Sequence, residues 1–404
     1  MWIALLITTG IAAALVVRRA QRHAHREPPP AWRLAADQLG GTLVTDPLRL
    51  SATIDETEAT VSVDEGAAWT IFTVRATALP EGVRFSGPTK GEKRGETELQ
   101  DPSFDGNVAA AGDELLLMAL CDTRTRRRLE RLGWSSSFVI ADGRMTARMA
   151  GLASAPMIIV QIVREMVGIA RSFDLEQRGL PDRLAGIVKA DHVAAVRRRA
   201  FNLLHQFHGD TVQMNEARAA ALGDADPGLR LMAAETLEPE AARGHLTLLV
   251  GDATVAAEVR THALEVLLDG HPREAIVAAL DEALAGPPDA FAGPALAACA
   301  TLEHPPRPEA LAAWAGGIDE AAAPALICAL EAAGGAEGEA GLLTLLARDD
   351  LATRRAAAVA LTTVAGPASI DALRTLASDR HEDAELRSAC SRAAEAATLR
   401  QGTD

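Results

Sequence analysis

The chain has 404 residues, of which 48% are hydrophobic and 24% charged, with a net charge of −15. This is enough apolar material for two or three folded domains, and it excludes a chain disordered throughout. With 32 glycines and 4 cysteines, collagen-like and disulfide-scaffold classes are excluded too, and the acidic balance argues against a protein that coats nucleic acid.

Residues 2–17, WIALLITTGIAAALVV, carry no charge over 16 positions. As a helix they would span about 24 Å, slightly short of a hydrocarbon core of about 30 Å. Trp2 at one interface and the snorkelling side chains of Arg18, Arg19 and Arg22 at the other can make up the difference. A cleaved signal peptide would want positive charge before the apolar run; here the charge follows it, and Arg26 and Pro28-Pro29-Pro30 come next. Residues 1–30 are therefore expected to be a single-pass anchor in the inner (cytoplasmic) membrane with a basic, stiff spacer. The positive-inside rule places the bulk of the chain in the cytoplasm.

Residues 31–185 read as an α+β module. A helix at 32–39 ends at Gly40-Gly41. Alternating apolar and polar residues predict strands at 48–54, 59–63 and 69–76, with a short one at 83–85. The Gly- and charge-rich stretch 87–100 predicts an exposed loop. Asp142-Gly143 marks a hairpin between strands at 137–140 and 144–148, and 156–173 is an amphipathic helix. The expectation is an antiparallel sheet with flanking helices. Its most basic feature is TRTRRRLERL at 123–132. On a helix, Arg124, Arg127, Arg128 and Arg131 share one face at i, i+3, i+4 and i+7. That stripe is a candidate face for phosphate, a lipid headgroup or an acidic protein. The competing reading is a solvated helix face, since the chain writes arginine by default: its lysines are Lys90, Lys93 and Lys189.

From 186 to 404 the periodicity is helical and a pattern recurs: an anchor, a small or apolar residue at +3, and usually Leu at +7. The instances are Arg197/Ala200/Leu204, Arg230/Ala233/Leu237, Arg260/Ala263/Leu267, Ala295/Ala298/Leu302, Ala323/Leu326/Leu330, Arg354/Ala357/Leu361 and Arg387/Cys390/Ala394. About seven units near 32 residues each predict a solenoid, in which no unit buries its apolar face alone. Dense Pro and Gly between 286 and 317 predict a kink or looser packing there. DPGLRLMAAETL at 226–237 and DLATRRAAAVALTTVAG at 350–366 resemble the first helix of HEAT repeats. The resemblance covers half the chain. It implies an all-α HEAT-like solenoid, a build that mostly serves protein binding and also occurs in enzymes. The whole layout resembles uncharacterised bacterial membrane-anchored proteins.

Motifs for chemistry are sparse. No phosphate-binding glycine loop, H-E-x-x-H or G-x-S-x-G is present. His205 and His208 share a helix face but lack a third ligand. Cys121, Cys299, Cys328 and Cys390 form no C-x-x-C pair and read as buried small hydrophobes. No catalytic residue, cofactor or metal site is therefore assigned. The expected function is a membrane-tethered, non-enzymatic scaffold whose acidic solenoid binds a protein partner, one of basic character; nucleic acid is disfavoured. The alternative is a metal- or phosphate-dependent enzyme or ligand sensor with its site in the α+β module, near Asp101, Asp105 and the arginine helix.

Overall fold

A computed structural model describes residues 28–64, 66, 68–87, 97–135, 137–176 and 178–401. The expected anchor, with Trp2, Arg18, Arg19 and Arg22, lies outside the described residues. Among the described residues no helix is long and apolar enough to cross a membrane. The chain divides into two compact units, 1–221 and 222–404.

In the first unit, helix α1 (Pro30–Leu39) starts on a proline and stops at Gly40, whose φ of 61° only glycine adopts cheaply. Its Trp32 is fully buried, and the indole N–H donates to the Ala153 carbonyl at 3.0 Å. Strands β1 (Thr42–Thr45), β2 (Leu48–Ile54), β3 (Thr57–Val63) and β4 (Trp69–Arg75) form a meander. The β2–β3 turn is Asp55-Glu56, both with positive φ, so the hairpin loop has two residues and Ile54 pairs with Thr57. The chain continues through β5 (Arg84–Ser86), α2 (Pro102–Asn107), β6 (Ala109–Ala111), α3 (Glu114–Leu120), α4 (Thr123–Ser135), β7 (Ser137–Ala141) and β8 (Arg144–Ala150). Asp142 and Gly143, at φ 51° and 69°, make the second two-residue turn.

The eight strands form one antiparallel sheet in the order β1-β2-β3-β4-β8-β7-β5-β6. Alternation puts Leu50, Val61, Phe72, Val74, Met145, Ile140 and Phe85 on one buried face. Helices α1, α4 and α5 (Pro156–Ser172) pack against that side. Phe173, just past α5, stacks on Phe85 with ring centroids 5.6 Å apart. Thr70 is the one polar residue of β4 on the buried face; its hydroxyl donates to Gly151 O and accepts from Ala153 N, so it is satisfied.

Helices α6 (Leu180–Ala190), α7 (Ala194–His208) and α8 (Val212–Leu222) close this unit. The change to helical periodicity near 186 therefore comes earlier than the boundary between compact units. The physical reason is a buried ion cluster. Arg126 of α4 is 1% exposed; its Nε donates to Asp101 at 2.8 Å and its Nη2 to Asp191 at 2.9 Å, while Nη1 reaches the Cys121 carbonyl. Asp191 stands between α6 and α7 and also accepts from Thr123 Oγ1. Arg199 of α7 pairs with Glu114 of α3. These ties hold the first helices of the helical half to the sheet module.

The second unit is wholly helical among its described residues. Helices α9 (Pro227–Glu235), α11 (Ala257–Gly270), α13 (Ala292–Thr301), α15 (Ala323–Ala333), α17 (Leu351–Val364) and α19 (Ala384–Gln401) each pack on the next of the series. Between them lie α10 (Pro239–Gly251), α12 (Arg273–Leu284), α14 (Pro308–Trp314), α16 (Gly335–Leu346) and α18 (Ile370–Ser378). One continuous apolar core runs through the stack. It includes the +3 and +7 positions Ala263, Leu267, Leu326, Leu330, Ala357 and Leu361. This helical run is compatible with a solenoid.

Two of the anchor arginines share a use. Arg260 donates to the Val250 carbonyl and to Asp289 and lies 4.2 Å from the Phe291 ring centroid. Arg354 donates to the Leu346 carbonyl and to Glu382. Each ties the end of the preceding helix to an acidic turn about one unit ahead. Where the anchor is alanine, Trp314 donates to the Gly286 carbonyl and Arg348 to that of Ile318. The Pro- and Gly-rich stretch shortens α14 to 7 residues, but Phe291, Leu311 and Trp314 are buried. Helices α11, α12 and α13 contact one another more sparsely than the helices near the C-terminal end of the stack, in line with the looser packing expected there.

Candidate functional site

The basic stripe of α4 opens onto a cavity of about 950 Å³ in the first unit. Its walls are the start of α4, the C-terminal half of α5, Arg178, α6, and Ile54 with Asp55 from the β2–β3 turn. Six arginines line it: Arg124 and Arg128 from α4, Arg164 and Arg171 from α5, Arg178, and Arg183 from α6. Arg127 and Arg131 continue the stripe into an adjoining hollow shared with Arg124 and Arg128. The structure thus brings all four stripe residues to one basic surface.

Local sequence explains the wall. Asp122 caps α4 by accepting from Thr125 N at 2.7 Å, which starts the helix so that Arg124 and Arg128 fall one turn apart on its outer side. On α5, Arg164 and Arg171 stand seven residues apart on the polar side of an amphipathic helix whose other side is core. Gly168 lies between them, and a Cβ there would overlap the Arg128 guanidinium, so the missing side chain lets Arg128 lie flat on α5. Gly186 of α6 also faces open space.

The electrostatics are one-sided. Four aspartates share the wall, and each is already engaged: Asp55 with Arg171, Asp122 as the helix cap, Asp182 with Gln213, and Asp191 with Arg126. Glu165 is divided between Arg128 at 3.5 Å and Arg131 at 3.1 Å. Among the described residues Arg124, Arg164 and Arg178 make no ion pair or side-chain hydrogen bond. Arg183 spends its Nη atoms on the Ser172 and Asp174 carbonyls and leaves its buried Nε without a partner. Burial, and then the charge of Arg124, pull the Arg128 guanidinium below the ordinary arginine range. Burial does the same to Arg183, with Arg178 adding to it. Helix-face reasoning found the α4 stripe; it missed Arg164, Arg171, Arg178 and Arg183. The one local signal was Arg164-x₆-Arg171 bracketing Gly168 on a helix that otherwise reads as core.

Asp101 and Asp105 do not form an open carboxylate pair, which corrects their placing as a cation site. Asp101 accepts from Ser103 N and Phe104 N as the cap of α2 and from Arg126. Asp105 accepts from Leu99 N and Asp101 N; burial raises its pKa. Among the described residues no three His, Cys, Asp or Glu side chains cluster as metal ligands, and His205 and His208 gain no third one. Three of the cysteines are buried as expected, whereas Cys328 is exposed.

The second unit is strongly acidic, whereas residues 1–221 are close to neutral. Residues 222–404 hold 13 arginines, no lysine, and 29 Asp plus Glu. Most of those arginines are spent internally, as at Arg230, Arg260, Arg348, Arg354, Arg355 and Arg400. Acidic side chains such as Glu258, Asp269, Glu274, Glu309 and Glu320 are exposed. Comparison with protein-family models, with curated proteins and with solved structures gives no match for this chain.

Proposed function

We propose that the chain is a membrane-tethered, non-enzymatic interaction protein whose C-terminal stack, built of HEAT-like repeats, holds a basic protein partner. The observation that supports this reading is the charge division within the second unit. Its arginines are committed to carbonyls and acids inside the stack, while its surplus carboxylates face solvent. A field of one sign over stacked helices selects and steers a partner of opposite sign. Exposed apolar side chains of the same unit, Leu248, Leu268 and Val359, supply area for contact. Residues 2–17 would hold the protein at the inner membrane, raising the effective concentration of its partner there.

The test is capture by the full-length chain in detergent. The expected result is a basic partner that elutes as salt is raised and is lost when Glu258, Asp269, Glu274 and Glu309 are changed together to lysine. Capture that is indifferent to both salt and charge reversal would sink the reading. Reporters fused after Asp404 test the orientation: activity confined to the far side of the membrane would overturn the cytoplasmic placement.

A further inference from the structure

We propose that the arginine-lined cavity of the first unit binds a small polyol or sugar unit that carries two phosphate groups. The inference is independent of the partner proposed for the second unit.

The cavity's volume of about 950 Å³ lies within the range of small-molecule sites. Arg124, Arg164 and Arg178 approach it from three different segments and make no ion pair or side-chain hydrogen bond among the described residues. Like charge acts within this wall, from Arg124 on Arg128 and from Arg178 on Arg183. An anion among them removes that repulsion and gains charge-assisted hydrogen bonds, for which the planar guanidinium is well matched to phosphate. The wall's own aspartates neutralise it only in part: Asp55 pairs with Arg171, Asp191 with Arg126, and the charge of Asp122 acts on Arg128 and Arg183, while none of them pairs with Arg124, Arg164 or Arg178.

Two phosphates are inferred rather than one because the cations fall into two groups. Arg124 and Arg128 lie on α4, and Arg164 lies on α5 across Gly168; Arg178 and Arg183 lie on the connection to α6 and on α6 itself. The body between the phosphates is read from what the wall offers. No aromatic side chain lines the cavity among the described residues, so a nucleobase would have nothing to stack on. Ile54, Val167 and Ile187 and the bare backbone at Gly186 suit a compact sugar or polyol. Free sugar bisphosphates share that chemistry with the headgroup of cardiolipin, in which a glycerol joins two phosphates.

The test is calorimetric titration of the full-length chain in neutral detergent with fructose bisphosphate, pyrophosphate and inorganic phosphate. The expected result is that fructose bisphosphate binds at least about tenfold tighter than inorganic phosphate, and that Arg124→Gln with Arg164→Gln weakens it by about tenfold or more. The melting temperature of the free double variant should hold or rise, because like-charge repulsion is relieved. Gly168→Ala, which displaces Arg128, should weaken binding as well. Arg243→Gln, on α10 of the second unit and not among the residues that line the cavity, should not. Equal affinity for inorganic phosphate would overturn the two-phosphate claim. Binding unaffected by the double variant, or no binding of any probe even in micelles containing cardiolipin, would overturn the site. Repeating the titration in micelles with and without cardiolipin separates the sources. Competition by cardiolipin identifies a lipid headgroup, and its absence identifies a free bisphosphate; either supports the shared chemistry.

Discussion

Arg126 stands among four surface arginines in TRTRRRLERL but has a different role from all of them. Leu129 and Leu132 mark the buried side of α4, and Arg126, three residues before Leu129, falls on that side. Removing its charge would leave Asp101 and Asp191 buried without their cation. Burial pushes the Asp191 carboxyl up, yet hydrogen bonds from Arg126, Val193 N and Thr123 outweigh it and hold the group below the ordinary range. Arg126→Leu is therefore expected to cost about 3–5 kcal/mol, read as a lower urea midpoint. Adding Asp101→Asn and Asp191→Asn should recover part of that loss, because fewer uncompensated charges remain buried. Arg127→Leu, on the exposed side, should change the midpoint little. A single-sequence reading finds the stripe because it follows a helical period. It passes over Arg126 because nothing local announces two carboxylates, one 25 residues before it and the other 65 after.

At the scale of elements, two contacts carry testable energy. Helix α16 crosses α15 closely at Gly338, where an added Cβ would stand 2.6 Å from the Leu330 carbonyl oxygen. Backbone cannot move aside as a side-chain tip can, so Gly338→Ala should destabilise by about 1–3 kcal/mol. Gly244, inside α10, has nothing within 4 Å of the same position; Gly244→Ala should be neutral or stabilise by about 0.5–1 kcal/mol through helix propensity. Urea unfolding of the two variants side by side checks the contrast. The other contact joins α17 to α19: Arg355 pairs with Asp383 at 2.8 Å, and Asp383 caps α19 by accepting from Leu386 N. The Arg355 hydrogen bond, then the backbone N–H groups, lower its pKa to about 2. The unfolded value is about 3.9. A lowered folded value means the stabilisation is whole above about pH 4 and is lost as pH falls toward 2. Asp383→Asn should therefore melt lower than the parent at pH 7, with the gap closing between pH 4 and 2.

The elements themselves were largely legible, and the misses share a cause. Strands β2, β4, β7 and β8 lie where alternation puts them, and the Asp142-Gly143 turn needs only its own backbone. Strands β1 and β6 have four and three residues, too few for a period to show. The helical repeat was legible for the same reason as the long strands. Ala at +3 and Leu at +7 recur because each first helix must sit close to the next, and most of those positions are buried along the stack, with Leu237 and Leu302 half-buried.

For the whole molecule, the division of charge follows from composition alone, since counting residues requires no coordinates. The acidic second unit and the near-neutral first one are properties of the chain, and so is the salt sensitivity expected of any partner the second unit holds. Helix and strand periods were equally available from the sequence, because they depend on neighbours two to four positions away. Folding alone decided which arginines are surface and which are core, and which distant ones share a cavity. Arg124 shares a cavity with Arg164, Arg178 and Arg183 only because α5 packs on α4 and α6 packs on α3 just before it. The extent of the first unit was decided in the same way, by Arg126 reaching across 65 residues to Asp191. A side chain's environment is set by segments that are remote in sequence, and their approach depends on the packing of the whole core.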